Sequence, residues 1–475
     1  MPRLPTLLLI AVLGMFSPVH GANDAIDSLE TLRRPLSKAD ALNIAFTRNG
    51  TVLQARKDME AATGVSIQLR AIVYPKLVNQ TQYSVVQDSL IEANQNRQST
   101  VSEADIPGLG ALRLEGRPPA KTNNQEWNSD IRVVQSVYEG GRIGAALRSS
   151  RLIRDQALLS FQATAADVLL SVSNAYDDVL STAKQVEVRE ASVALLTEYL
   201  KVAKTKADAG AVTEFEVLRQ EVEVANAQAA LVQALGAHRV AKQVFAQQLG
   251  WNLATDVSDD LPLRLTSPLL ARPYPHPLSA ALAHALVWRT EVAALKKEEL
   301  LRDEAIVAAK AGTKPSLQAF AGYELASRVQ TRNAGDPLSG GIIGGQLSWP
   351  LFDGFLTKGR VTEAVARRGK AGEATAETKR IVELQVRAAW SDLRAARAVL
   401  DAETKNIEKA VQALSLVQTR YDEGAATQVE VLSAQTALTD ARTLYVQGLR
   451  NYSVARSRLV RATGEDLRRS GGRQG

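Results

Sequence analysis

Residues 210–218 read GAVTEFEVL and residues 424–432 read GAATQVEVL. The offset, 424 less 210, is 214, and it holds far outside the matched words. Tyr138 and Phe352 each precede an acidic residue and a glycine, Tyr176 stands opposite Trp390, and Gly250 stands opposite Gly464. A repeat that keeps its spacing over such distances fixes helix lengths, and it points to one body built from two halves rather than several unrelated domains.

Between these anchors an apolar period of seven runs unbroken. In the first copy it is Leu158, Ala165, Val172, Val179, Val186, Val193 and Leu200; in the second it is Val386, Leu393, Leu400, Ile407 and Leu414. A second seam holds Phe161, Val168, Ala175, Leu196 and Ala203, matched by Val382, Ala389, Ala396, Ala410 and Val417. This a/d pattern predicts coiled-coil packing. Residues 142–209 contain no Pro and no Gly beyond the first turn, which makes a rod on the order of 100 Å long at 1.5 Å per residue. The long helices are expected to end near Ala209 and Glu423. Gly210 and Gly424 suit the left-handed position after a helix, and the next helices start at Thr213 and Thr427. Those helices run to Gly250 and Gly464 and are rich in Ala, including Ala225, Ala229, Ala434 and Ala441, which allows close helix pairs.

Over 475 residues the net charge is +6 and the isoelectric point about 9.3, but acidic and basic residues alternate along the helices. Such alternation is a solvated coiled-coil surface and argues against nucleic-acid binding. Residues 1–21 read as a secretory signal, with Arg3, an apolar run from Leu7 to Phe16, and small residues at Gly21 and Ala22. No other stretch is apolar enough for a membrane helix. The absence of Cys fits export and removes the residue that a bacterial lipid anchor needs.

From the signal onward, residues 22–250 form the first repeat, 251–277 a Pro-rich linker, 278–464 the second repeat and 465–475 a polar tail. Ser37-Lys38-Ala39-Asp40 reads as a capping box for one helix running to about Val73, before Pro75. Its counterpart runs from near Leu278 to just before Pro315. The only strand-like sequence follows these prolines. Leu77–Gln87 and Ile131–Tyr138 flank a polar loop around residues 92–124. In the second half Leu317, Ala319, Ala321, Tyr323 and Leu325 alternate with polar or small residues, a loop with Gly335-Asp336-Pro337 follows, and Ile343, Gly345, Leu347, Trp349 and Leu351 share one face of the return strand. Such alternation is the signature of a tilted transmembrane strand. Four strands cannot close a barrel, so crossing a membrane would require several protomers to share one wall.

The phrases SWPLFDGF at 348–355 and YDEGAATQVEVLSAQTAL at 421–438, with its copy ADAGAVTEFEVL at 207–218, resemble the TolC family of outer-membrane efflux and secretion channels. The likeness spans essentially all of the chain after the signal. It implies a mainly α homotrimer of tandem repeats in which four strands per protomer make a twelve-stranded β-barrel in outer-membrane lipid. The helices would continue that barrel as a long periplasmic coiled-coil tunnel. The resemblance also implies docking onto a periplasmic adaptor (membrane fusion) protein and an inner-membrane transporter of the RND or ABC class, for passive drug efflux or type I protein secretion.

Carried over from Gly424, the family's first acidic constriction position falls on Glu430, while the second falls on Ser433 and so departs from the pattern. The resemblance also pairs Tyr421 with Glu216 of a neighbouring protomer, closing the entrance. Both glutamates have another reading, since Thr213-x-x-Glu216 and Thr427-x-x-Glu430 are capping boxes. Gly210 and Gly424 mark exposed helix turns, the expected adaptor-docking tips. Tyr323 and Trp349 are candidates for an aromatic belt at the membrane surface. Gly340-Gly341 and Gly344-Gly345 lack the Lys-Ser/Thr of a phosphate loop, and His238, His276 and His284 show no paired ligand spacing, so no metal, cofactor or catalytic constellation is legible. An exported coiled-coil scaffold or adhesin without a pore is the competing reading. A periplasmic adaptor is disfavoured by the two complete helix–strand copies.

Overall fold

The computed structural model describes residues 34–85, 87, 104–106, 110–112, 125–210, 212–251, 260–327 and 338–465. The expected signal segment, the extension to residue 33, most of the loop between the first two long strands, Gly335-Asp336-Pro337 and the tail from residue 466 lie outside these residues. The first half runs β1 (Pro35–Leu36), α1 (Lys38–Arg48), α2 (Gly50–Arg70), β2 (Lys76–Val85), β3 (Ala104–Ile106), β4 (Gly110–Leu112), β5 (Gln125–Glu139), α3 (Arg142–Asp208) and α4 (Glu214–Gln248). After β6 (Arg264–Leu265), the second half repeats it as α5 (Leu278–Trp288), α6 (Thr290–Lys310), β7 (Ser316–Ala326), β8 (Leu338–Ser348), α7 (Leu356–Asp422) and α8 (Gln428–Thr463). Helices α3 and α7 both have 67 residues and start 214 apart, 356 less 142. β3 and β4 pair antiparallel, so a short hairpin stands in the stretch expected to be loop.

The chain divides into two compact units. The first draws on Met1–Lys57, Ser160–Val292 and Thr378–Gly475; the second on Asp58–Leu159 and Ala293–Glu377.

In the first unit the heptad seams are buried. Ala165, Val168, Val172, Ala175, Val179, Leu196 and Ala203 pack inward from α3, and Val382, Val386, Ala389, Leu393 and Leu400 do so from α7. Leu158 does not follow the pattern: it is 46% exposed and belongs to the second unit, where the periodic residue has lost its seam. One core joins Leu42, Val52, Val172, Tyr176, Phe245 and Leu249; its counterpart joins Ala285, Val292, Val382, Val386, Tyr452 and Leu459. The Pro-rich connector takes part, because Leu261 is buried in the first core and β6 pairs in parallel with β1.

The single helix expected from Ser37 to about Val73 is in fact two, as is its counterpart from Leu278. The Ser37–Asp40 capping box starts α1 as expected. The chain then turns extended at Asn49 and again at the equivalent Arg289. Asn49 caps α2, since its Oδ1 accepts from the backbone N–H of Thr51 (2.9 Å) and Val52 (3.3 Å), while its Nδ2 donates to the Gln248 carbonyl (2.7 Å) at the end of α4. Arg289 does the second task at the end of α8, donating from Nη1 to the carbonyls of Arg461 (3.2 Å) and Ala462 (3.3 Å). Each break therefore satisfies the orphan carbonyls of a long helix far along the chain.

Burial of Arg289 and Arg461, each 7% exposed, is compensated by close partners. Arg461 reaches Asp167 (2.7 Å) and Glu291 (2.6 Å), and Arg289 reaches Glu291 (3.0 Å) and the Gln385 amide oxygen (2.8 Å). Burial pushes the Glu291 carboxyl up, but the hydrogen bond and charge of Arg461, with Arg289, outweigh it and hold the group below the usual range. Two charges this buried are tolerable only with such pairing.

The second unit contains a four-stranded antiparallel sheet in the order β2-β5-β7-β8. The register brings the odd-numbered residues to one face: Leu77 opposite Val133, Tyr83 opposite Trp127, Ile131 opposite Tyr323, Ala321 opposite Ile343, and Leu317 opposite Leu347. The other face carries Gln80, Asn128, Asp130, Arg132, Gln318, Glu324 and Gln346. Thr81 and Ser129, polar residues on the apolar face, bond to each other at 2.9 Å. The first strands begin and end somewhat differently from expectation, and β5 has a bulge between Ser136 and Tyr138. The return strand β8 begins earlier, at Leu338, and stops at Ser348, so Trp349 and Leu351 lie beyond it. The ladder ends there because Pro315 precedes the last partner, Ser316, and Pro350 follows Trp349, and neither proline can donate.

Gly250 has φ 79°, and a Cβ there would collide with the Arg48 carbonyl oxygen; Gly210 has φ 72° but open space around it. Gly210→Ala should cost only the left-handed penalty of about 1–2 kcal/mol, and Gly250→Ala visibly more. Denaturation midpoints of the two variants check this, and equal losses would contradict it.

Candidate functional site

The turns that link α3 to α4 and α7 to α8 are where sequence concentrates the expected site, and all of them lie in the first unit. Gly210 and Gly424 (φ 76°) adopt the left-handed conformation that closes the preceding helices. The second turn is pinned twice: the Ala425 N–H donates to the Arg420 carbonyl (2.7 Å), and Arg420 Nη2 returns to the Ala425 carbonyl (3.2 Å).

At Thr427 the capping box is complete. The Thr427 N–H donates to Glu430 Oε2 (2.7 Å), and the Glu430 N–H donates to Thr427 Oγ1 (3.3 Å). The Thr427 backbone N–H, then its hydroxyl, hold the Glu430 carboxyl below the usual Glu range although the residue is exposed. The matching box at Thr213 does not form: Thr213 is the N-cap, but its side chain makes no capping bond. Both turns share a main-chain bond, from the Glu216 N–H to the Thr213 carbonyl and from the Glu430 N–H to the Thr427 carbonyl (each 3.1 Å). Among the described residues the Glu216 carboxylate has no hydrogen bond or ion pair within the chain, and neither does the Tyr421 hydroxyl. The structure does not bring Tyr421 and Glu216 together within one chain. Ser433, one turn beyond Glu430, is exposed.

Tyr421 is half-buried against a cluster of Leu414, Val431 and Leu438. Lys206 places its ammonium 4.2 Å from the Tyr421 ring centroid, a cation–π contact between α3 and α7. Gln220, fully buried, accepts from Gln428 Nε2 (3.2 Å) and donates to the Leu196 carbonyl (3.3 Å). These two contacts, and the cluster of Leu196, Val224 and Leu432, fasten the first-repeat hairpin to the second. Sequence reading missed Lys206, Gln220 and Gln428. Their only sequence signal is a polar residue beside an apolar seam, which long-range pairing alone explains. The amide of Gln435 and the hydroxyl of Tyr199 are buried in this region without partners.

In the second unit, Tyr323 stands on the apolar face of β7 and is exposed. Trp349, just past β8, is exposed as well and donates from Nε1 to the Thr313 carbonyl (3.2 Å). Tyr74, Tyr138, Phe352 and Phe355 are also exposed near the helix–strand junctions. Seven strand positions separate Ser316 from Tyr323, about 23 Å along the strand at 3.3 Å per residue. A strand tilted by about 35–45° rises only about 16–19 Å over that length, less than the roughly 25 Å apolar band of an outer-membrane barrel.

A family model described as outer membrane efflux protein matches residues 281–465. Outer membrane efflux protein BepC of Brucella suis is 25% identical over 358 residues, covering 74% of each chain. Protein CyaE of Bordetella pertussis is 27% identical over 349 residues, covering 69% of each. The structure of outer membrane protein VceC from Vibrio cholerae superposes with a TM-score of 0.68 at 18% identity, covering 90% of this chain and 96% of that one.

The depressed Glu430 pKa sets a pH window. A carboxylate whose folded pKa lies below its unfolded value contributes fully above the unfolded value, and that contribution is lost as pH falls through the folded one. Any cation effect routed through Glu430 should therefore be constant from about pH 7 to about pH 5, above the ordinary Glu value of about 4.3. Cation block of single channels across this range tests it, and a midpoint between those limits would contradict the depressed pKa.

Proposed function

We propose that this chain, which belongs to the outer membrane efflux protein family, is the exit duct through which substrates delivered by an inner-membrane transporter leave the cell. Channels of this family sit in the outer membrane, extend a helical tunnel into the periplasm, form trimers and work with adaptors and inner-membrane transporters. The observation that carries the reading is the sheet: one face is richer in apolar residues than the other, and its two rims, β2 and β8, have no strand partner among the described residues. All neighbours in the sheet are antiparallel, so β2 and β8 run in opposite directions, and the β8 of one copy can pair with the β2 of the next. Head-to-tail contacts of this kind generate a ring when the rotation between copies closes. A pore-free scaffold would leave the apolar face and both rims unexplained.

At the periplasmic end we place the gate on the second-repeat hairpin. Tyr421 and Glu216 both keep their polar groups uncommitted within the chain, which suits a bond between neighbours that closes the entrance. Glu430 would contribute one ring of carboxylates, and Ser433 leaves the second ring uncharged, so cation selectivity should be weaker than with two acidic rings. Opening would swing α7 and α8 outward when the adaptor engages the Gly210 and Gly424 turns. That motion must also release Lys206 from Tyr421 and Gln220 from Gln428. The transporter is of the RND or ABC class.

In planar bilayers, Tyr421→Phe should raise single-channel conductance and, in cells, antibiotic leakage; unchanged values in both would remove Tyr421 from the gate. Glu430→Gln should weaken cation block while Thr427→Ala, which removes the hydroxyl half of the cap but leaves the charge, should largely preserve it. Equal block in wild type and Glu430→Gln would reduce Glu430 to a capping residue.

A further inference from the structure

We infer that the first unit carries a binding pocket for a small oxyanion, held between Arg272 of the connector and Arg456 of α8. The two guanidinium groups line a cavity of about 300 Å³ enclosed by the start of α1, the middle of α3, connector residues 266–272 and α8. This size accommodates phosphate, sulfate or a small polycarboxylate.

The other charged groups of the cavity, and its phenol, are already engaged. Lys38 Nζ and Asp177 form a bidentate pair at 3.0 and 2.9 Å, and the Ser453 hydroxyl also donates to Asp177. The Tyr176 hydroxyl donates to the Leu36 carbonyl (3.1 Å) and accepts from the Ser267 N–H (2.9 Å). What remains is positive. Arg456 Nε is buried without an acceptor, and the Arg272 side chain makes no hydrogen bond or ion pair among the described residues. The carboxylate of Glu465, which attracts Arg456, is taken by the Tyr274 hydroxyl at 2.6 Å. Burial, together with the like charge of Arg272, pushes the Arg456 pKa down. Arginine nonetheless stays protonated at any physiological pH. Asp177 is bonded by Lys38 and Glu465 by the Tyr274 hydroxyl, so neither carboxylate hydrogen-bonds Arg272 or Arg456, and an anion held by both guanidinium groups relieves their mutual repulsion.

A further donor completes the site. The buried hydroxyls of Ser173 and Ser457 bond to each other at 3.1 Å. Two hydroxyls share one hydrogen bond, so one proton is left to donate into the cavity. Guanidinium forks with a hydroxyl are the donor set that recognises phosphate and carboxylate oxygens. Because Arg272 lies in the connector between the halves, bound anion would tie that connector to α8.

Calorimetric titration of the full-length protein in detergent, at constant ionic strength held with chloride, tests this with inorganic phosphate and citrate as probes. Saturable binding of at least one probe is expected, weakened about tenfold or more in Arg272→Gln and in Arg456→Gln, and weakened less in Ser173→Ala. The probe that binds more tightly assigns the oxyanion as tetrahedral or polycarboxylate. No saturable binding of either, or wild-type affinity in Arg272→Gln, would overturn the proposal. Should Arg456→Gln fail to fold, Arg272→Gln in the connector decides the question alone.

Discussion

Backbone hydrogen-bonding groups left open along β2 and β8 are the constraint on which the architecture turns. A sheet whose odd face carries Leu77, Ile131, Val133, Ala321, Tyr323, Ile343 and Leu347 is suited to lipid. Lipid offers no water to satisfy its rims, and each unsatisfied group there costs several kcal/mol. In lipid the rims would need strand partners, and the proposed duct supplies them from other copies of the chain. Thr81 and Ser129, polar residues on the odd face, satisfy each other.

The helical part solves a related problem by a different route. Helices of 67 residues cannot be stabilised by intrinsic propensity, so their seams bury small and aliphatic side chains at heptad spacing. Their return helices end against a deliberate break in the short helices. Asn49 and Arg289 are unlike residues in equivalent positions, and each donates to the terminal carbonyls of the helix that closes its own half. In the second half the solution brings a buried cation, and Glu291, Asp167 and Gln385 surround it and Arg461 with acceptors.

Local periodicity made much of this legible. The 214-residue offset fixes the starts of α3, α7, α4 and α8, and the alternation from Leu317 to Leu325 gives the apolar face of β7. Features that depend on residues far apart in the chain were not legible. The breaks at Asn49 and Arg289 interrupt an apolar pattern that runs straight through them, from Ala45 to Val52 and from Ala285 to Val292. The end of β8 depends in part on Pro315, just before its partner strand β7, and the empty capping box at Thr213 has the same sequence signature as the filled one at Thr427. At the turn between α7 and α8, the pairing of Thr427 with Glu430 was visible from its capping-box motif. Lys206 and Gln220 were not, because their significance lies in Tyr421 and Gln428, more than 200 residues away.

The absence of native cysteine makes the pairing of β8 with β2 directly measurable. Single cysteines placed along each rim, for example Gln80→Cys in β2 combined with Gln346→Cys in β8 and its neighbours in register, can be oxidised in outer-membrane vesicles. Rim pairing between copies predicts that one register yields covalent dimers and trimers and no larger species. Monomers at every register, from protein that inserts into the membrane, would contradict it.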